Sequence, residues 1–127
     1  MHSYPLIGLK HQECVFVGGE FFPDTANAPT YGTMSKRGWT VAYTSTGLFT
    51  VTLADVYPGL LSVWAGLRLA TGADQIAQIG SISLSSRTIQ IRVWDISGAA
   101  VANIAANANN AISWGAILTQ STVGTGA

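Results

Sequence analysis

The chain has little charge of either sign. Its 127 residues contain 6 Lys and Arg and 6 Asp and Glu, so 9 % of the residues are charged and the net charge is zero. An ordinary soluble domain has about 25 % charged residues, which help to keep it monomeric and soluble. Such a neutral composition favours a surface that is covered by copies of the chain or by another protein; a hydroxyl-rich surface that is soluble enough by itself is the alternative. Binding to nucleic acid is not expected, because it needs clustered Lys and Arg and only the pair Lys36-Arg37 comes close.

Cysteine and long apolar runs are equally scarce. Cys14 is the one cysteine, so it has no partner for an internal disulfide and gives no evidence of an oxidising compartment. The longest uncharged, mostly apolar run covers residues 56–67, which is too short to span a bilayer. The first residues also lack the charged and apolar regions of a signal peptide. We expect no membrane partner, and a protein that is made in the cytoplasm and stays there or leaves within a larger particle.

The chemistry-bearing residues do not form a recognisable catalytic or metal site. His2 and His11 lack neighbours at the spacing of a metal site, and Cys14 lies in an apolar run, where we interpret it as a buried small hydrophobe. Three acids occur beside strand ends, where Asp stabilises turns through its own backbone; a carboxylate pair for hydrolysis is the alternative. These are Asp55, Asp74 and Asp95. We expect no enzyme activity, no cofactor and no metal.

What the sequence does contain is alternation. Apolar and polar residues alternate over 48–53, 61–69 and 88–94, the period of a β-strand with one buried face. Residues 44–47 are typical of a hairpin turn, Pro58-Gly59 suits the centre of a type II turn, and Gly80 suggests a bulge. The residues expected inside are Phe49, Val51, Leu53, Leu61, Val63, Leu67, Ile89, Ile91 and Val93.

Seven or eight strands spaced about ten residues apart predict an all-β single domain, an antiparallel β-sandwich or jelly roll. Residues 14–118 form this domain, with a last strand at 112–118. Residues 1–13 are interpreted as an N-terminal arm or edge segment, 23–37 as one long loop, and 119–127 as a flexible tail. The Ala-rich segment 99–106 is interpreted as a loop, with a short helix as the alternative.

The arm and the loop are contact candidates, because long structureless loops in compact domains tend to be functional. Trp-containing strand faces that also carry Arg are a second candidate, since interfaces are enriched in Trp, Tyr and Arg. Stacking of these tryptophans on sugars, as in a carbohydrate-binding module, is the alternative. The candidate interface residues are Tyr4, Leu6, Ile7, Leu9, Tyr31, Met34, Trp64, Arg68, Arg92 and Trp94.

Several strand and turn segments resemble small virion proteins of tailed bacteriophages; they are Gly38–Val41, Gly47–Leu53, Asp55–Leu60, Ala73–Gln75, Ile91–Asp95 and Ala105–Asn110. The resemblance lies within residues 38–118 and leaves the N-terminal third unmatched. In similar proteins a basic residue often follows the Asn-Asn pair, whereas here Ala111 does.

The resemblance implies a capsid decoration (cement) protein without catalytic residues, made in the host cytoplasm and located on the virion exterior. Its partners would be the phage major capsid protein and further copies of itself, as a trimer first and a dimer second. A head fibre base, a neck protein or a tail protein is the alternative position.

Overall fold

The computed structural model of the protein describes residues 14–22, 30–31, 38–70, 74–96, 100–101 and 110–119. Every regular element among these residues is a β-strand, and the strands form two antiparallel sheets. The all-β prediction is therefore confirmed. In chain order the strands are β1 (Cys14–Phe22), β2 (Thr30–Tyr31), β3 (Trp39–Ser45), β4 (Leu48–Leu53), β5 (Gly59–Arg68), β6 (Gln75–Ser83), β7 (Thr88–Asp95), β8 (Ala100–Val101) and β9 (Ala111–Thr119).

The first sheet has the strand order β2-β1-β9-β5. Its centre is β9, which pairs along its whole length with both β1 and β5. Alternate residues of β9 are apolar and almost fully buried, so the strand turns one face to the core; these residues are Ile112, Trp114, Ala116 and Leu118.

The second sheet has the order β3-β4-β7-β6, and β8 pairs with the end of β7. The predicted hairpin is present as β3 and β4, joined by a tight turn at Thr46-Gly47. Gly47 has a φ of 66°, a left-handed conformation that glycine adopts without a steric penalty. The turn between β6 and β7 places Arg87 at a φ of 64°.

The buried faces of the two sheets contribute to one hydrophobic cluster. Phe21 of the first sheet lies 5.2 Å from Phe49 of the second, measured between ring centroids. Trp39 of the second sheet packs edge-to-face on Trp114 at 5.3 Å, and its Nε1 donates a hydrogen bond of 3.3 Å to the carbonyl oxygen of Gly18. Six of the residues expected inside are at most 2 % exposed: Phe49, Val51, Leu53, Ile89, Ile91 and Val93.

The expected inward residues of β5 are only partly right. Val63 and Leu67 are partly buried and pack against the core, but Leu61 is 44 % exposed. The register between β5 and β9 shifts between Leu60 and Ser62, and Leu60 takes the inward position instead. A bulge inserts one residue and so reverses the alternation that precedes it.

Two turn predictions have opposite outcomes. The bulge suggested by Gly80 is confirmed by a register shift between Ile79 and Ile82. The type II turn at Pro58-Gly59 is wrong, because that turn needs a positive φ at its second central residue and Gly59 has none. Gly59 instead begins β5, and the chain passes here from the second sheet to the first.

The ends of the described strands lie close to several of the predicted segment boundaries. The first described strand begins at Cys14, and β9 extends the predicted last strand by one residue at each end, so that Thr119 belongs to the sheet rather than to the tail. Within the predicted loop 23–37, Thr30 and Tyr31 pair with β1. Several predicted segments lie outside the described residues: the arm 1–13, the loop residues 23–29 and 32–37, the segment 102–109 and the tail from residue 120 onward.

Candidate functional site: the outward faces of the two sheets

Two aromatic rings lie together on the outward face of the first sheet. Phe16 of β1 and Trp64 of β5 are 5.9 Å apart between ring centroids, with their planes inclined by 24°. Phe16 is 59 % exposed and Trp64 44 %. We call this pair the aromatic patch. Exposed contiguous apolar area of this kind marks interaction surfaces in soluble proteins, and Leu61 lies exposed on the same strand as Trp64.

Glycines on the neighbouring strands make room for the aromatic patch. Gly18 of β1 pairs with Gly115 of β9, which in turn pairs with Trp64. A Cβ atom on Gly115 would lie 2.6 Å from Cζ2 of Trp64 and 2.9 Å from Cε1 of Phe16. The two rings therefore approach the backbone of β9 at a distance that only glycine allows.

An ion pair lies further along the same face. Nη2 of Arg68 is 3.0 Å from Oε1 of Glu20, and both side chains are exposed. An exposed pair of this kind contributes at most about 1 kcal/mol. Its consequence here is electrostatic: the face that holds the aromatic patch has no net charge from these two residues.

Sequence reasoning found Trp64 and Arg68 on this face but missed Phe16 and Glu20. Both are outward residues of β1, since Val17 and Phe21 of that strand are buried. The run 14–17 is short and followed by two glycines, so it carries no clear alternation. The partners of Phe16 and Glu20 are on β5, far away in the chain, and no local pattern reveals them.

The outward face of the second sheet is mainly polar, although Ile76, the strand partner of Trp94, is 38 % exposed on it. One row across its four strands consists of hydroxyl side chains in direct register: Thr40, Thr52, Thr88 and Ser83. Beside this row, the hydroxyls of Thr44 and Thr50 are 2.7 Å apart. The face thus offers uncharged hydrogen-bonding groups at the regular spacing of a sheet.

Arg92 and Trp94 belong to this polar face, because they alternate with the buried residues Ile91 and Val93 of β7. The structure therefore brings Arg92 and Trp94 onto one surface and Trp64 with Arg68 onto another. Both Arg92 and Trp94 are half-buried. The Nε1 atom of Trp94 is buried without a partner, so the carbon part of the ring is what the surface exposes.

The remaining candidate residues agree in part with the sequence analysis. Asp55 and Asp74 are exposed at strand ends and Asp95 is half-buried there, and the Asp74 carbonyl accepts a 2.7 Å hydrogen bond from the Ile96 amide. Cys14 is only half-buried; the expectation of a buried side chain is wrong because Cys14 points to the outward face of β1, opposite to Val15 and Val17.

Burial raises the pKa of the Tyr57 phenol above 10.0, and the negative charge of Asp55 adds to the shift. In the part of the chain that the structure describes, no group of three or more His, Cys, Asp or Glu residues is arranged to hold a metal ion. The same residues include no helix of the length and hydropathy that crossing a membrane requires.

Five of the predicted interface residues lie outside the described residues: Tyr4, Leu6, Ile7, Leu9 and Met34. Tyr31 is described only through its backbone, as the strand partner of Phe21.

Comparison with known proteins adds no relative. No family model matches the chain, no curated protein matches it, and no solved structure matches it.

Proposed function

We propose that this chain is a structural virion protein that decorates the outside of a tailed-phage capsid and bridges its major capsid protein subunits. The observation that carries the proposal is the aromatic patch, a surface of two exposed and stacked rings. A surface of this kind binds rather than catalyses, so the proposal includes no enzyme activity. The phage setting comes from the sequence resemblance.

The proposed architecture is a two-layer β-sandwich. The contacts of Phe21 with Phe49 and of Trp39 with Trp114 join the inward faces of the two sheets, as the core of a sandwich requires. The jelly-roll form of this architecture stays a prediction.

The aromatic patch would be buried between copies of the chain. Trp and Phe are typical anchors of protein interfaces, and the charge pairing of Arg68 with Glu20 removes the repulsion that two like faces would otherwise meet. A trimer is the first expectation and a dimer the second. An oligomer holds a repetitive shell more firmly than a single chain, because each further contact is made at a high effective concentration.

The test uses phage particles that carry this chain. Image reconstruction and mass-spectrometric copy number should give hundreds of copies arranged on the icosahedral shell, an expectation that follows from the repetition of the capsid site. A few copies at one vertex or along the tail would assign the chain to a fibre base, neck or tail instead, and its absence from the particle would refute the virion role.

A double variant links the patch to this role. Phe16→Ser together with Trp64→Ser should lower capsid occupancy, because each copy then binds alone. Arg92→Gln is the matched control, since it changes the opposite, polar face and leaves the patch intact. Deletion of residues 1–9, the first part of the predicted arm 1–13, should also weaken particle binding while the β-rich circular dichroism spectrum is kept. Full occupancy after the deletion would show that the arm does not hold the protein on the capsid.

A further inference from the structure

Arg92 is the one arginine of the described residues whose guanidinium has no partner. Arg68 forms the ion pair with Glu20, and Nη1 of Arg87 donates a 3.2 Å hydrogen bond to the carbonyl oxygen of Ala54. No hydrogen bond or ion pair joins Arg92 to any described residue, although it is half-buried. A guanidinium without an acceptor on the protein can bind an anionic group through two parallel hydrogen bonds.

Among the residues that the structure describes, no carboxylate lies in register with Arg92. Its neighbours in register are Leu48 on β4 and Gln78 on β6. The guanidinium extends towards Gly80, where a Cβ atom would lie 3.5 Å from Nη2, so the missing side chain leaves the charged group open. Outward Thr50 and Gln90, which pair with one another, supply a hydroxyl and an amide in the next row.

An apolar ring lies beside this charge. Trp94 is two residues along the same strand and on the same face, which places the two Cα atoms roughly 6.6–6.8 Å apart. The N–H of the indole is buried and the ring is only half-buried. The guanidinium leans towards Gly80 and Gln90, away from Trp94, so a ligand that contacts both the ring and the guanidinium must be longer than one unit.

We propose that the outward face of the second sheet binds an acidic polysaccharide, with the carboxylate of a uronic acid unit on Arg92 and a sugar ring against Trp94. The Arg92 cation complements the carboxylate of such a sugar, and the carbon face of the Trp94 ring complements its C–H face. The hydroxyls and amides of the sheet can form hydrogen bonds with the sugar hydroxyls. An acidic peptide would match the charge alone and leave most of the hydroxyl row unused. The site lies apart from the aromatic patch and does not depend on the capsid proposal.

The experiment is calorimetric titration of the purified full chain with polygalacturonate, with neutral dextran and with polyglutamate. Binding to polygalacturonate alone is expected. Arg92→Gln should weaken it by about tenfold or more, since a hydrogen bond to a charged group contributes at least that factor. Arg92→Lys keeps the charge but loses the planar guanidinium, so its affinity should lie between those of the wild-type chain and Arg92→Gln. Arg68→Gln is the matched control: it removes the same charge from the other sheet and should leave the affinity unchanged.

Three outcomes would overturn the proposal. Equal binding of polyglutamate would assign the face to acidic peptides. Equal losses of affinity in Arg92→Gln and Arg68→Gln would show that only the net charge matters. No binding to polygalacturonate would show that this face does not bind an acidic polysaccharide. Circular dichroism of each variant shows whether it folds; if Arg92→Gln does not, the Arg92→Lys comparison decides. Capsid occupancy of Arg92→Gln stays normal in each case, so failure here is distinct from failure of the proposed function.

Discussion

Gly18 and Gly115 are strand neighbours, yet a methyl group at each would meet different atoms. At Gly18 it would lie 2.5 Å from the Trp114 carbonyl oxygen and 2.7 Å from Cα of Gly115, which are backbone atoms, and also 2.9 Å from Cζ of the Phe16 ring. At Gly115 it would meet the outer atoms of the Trp64 and Phe16 rings, which can rotate away. A side chain at Gly18 would therefore strain the pairing of β1 with β9, whereas one at Gly115 would mainly displace the rings of the aromatic patch.

Two alanine variants should separate these roles. Gly18→Ala should lower the free energy of unfolding by about 1–3 kcal/mol, the usual cost of overpacking. Gly115→Ala should change stability less but displace the aromatic rings and weaken association between copies. Urea unfolding and sedimentation measure the two effects, and a larger stability loss for Gly115→Ala than for Gly18→Ala would contradict this assignment.

Ile91 of the regular strand β7 and Leu61 at the bulge of β5 test how a bulge changes burial. Both were expected inside, but Ile91 is fully buried whereas Leu61 is exposed. Ile91→Ala should destabilise the fold by about 2–5 kcal/mol through lost burial and a cavity. Leu61→Ala should cost less than about 1 kcal/mol, because little apolar area is lost there. Similar losses in the two variants, measured by denaturant unfolding, would show that Leu61 is inward after all.

Tyr57 should give the fold a dependence on alkaline pH. Its pKa in the folded chain is raised above 10.0 by burial first and by Asp55 second, so the folded state keeps the phenol proton after the unfolded state has begun to lose it. The stabilisation is complete below pH about 10 and falls as the pH rises through the folded pKa. Tyr57→Phe, which cannot ionise, should lose less stability between about pH 9 and pH 11, and identical slopes in urea unfolding would contradict this.

Within a single strand, the period-two alternation of the sequence predicted which residues face inward wherever the strand pairing is regular. In β4 and β7 the inward and outward residues follow the alternation without interruption, and the hairpin of β3 and β4 follows from two such runs and a Gly-containing turn. Bulges limited the prediction in β5, because an extra residue is invisible until the partner strand is known. The partner strand itself is set by tertiary packing, which is why β9 as the shared neighbour of β1 and β5 was not foreseen.

The same limit applies to the candidate surfaces. Trp94 and Arg92 are two residues apart on β7, so alternation was enough to place them together. Phe16 and Trp64 meet only because β1 and β5 pair with the same strand. A surface made by one strand is readable from a sequence, whereas a surface made across strands is not.

The position of a strand in its sheet should also determine how fast its backbone amides exchange hydrogen with water. In the described sheets β9, β4 and β7 have strand neighbours on both sides, and β3 and β6 are the outer strands of the second sheet. Amides of β9, β4 and β7 should exchange most slowly, near the rate set by global unfolding, and those on the outer edges of β3 and β6 should exchange faster. Nuclear magnetic resonance of the purified chain measures this residue by residue. Equally slow exchange along the outer edge of β3 would indicate that another chain pairs with it.

For the whole molecule, the scarcity of charge and the aromatic patch both favour association between copies of the chain. A domain with 6 cationic and 6 anionic side chains has little electrostatic repulsion to keep copies apart, and Phe16 and Trp64 give those copies an apolar surface to share. The chain should therefore sediment as more than one copy at micromolar concentration, as a trimer or next as a dimer.

The Phe16→Ser and Trp64→Ser double variant should sediment as single chains, since it removes apolar area from the contact at about 25 cal/mol per Å² without altering the inward faces. Arg92→Gln should keep the oligomer, because it changes only the polar face. An unchanged oligomer in the double variant would move the contact between copies to another surface, and the patch would then be left to face the capsid. A wild-type chain that is monomeric both in solution and on the particle would remove self-association from the function altogether.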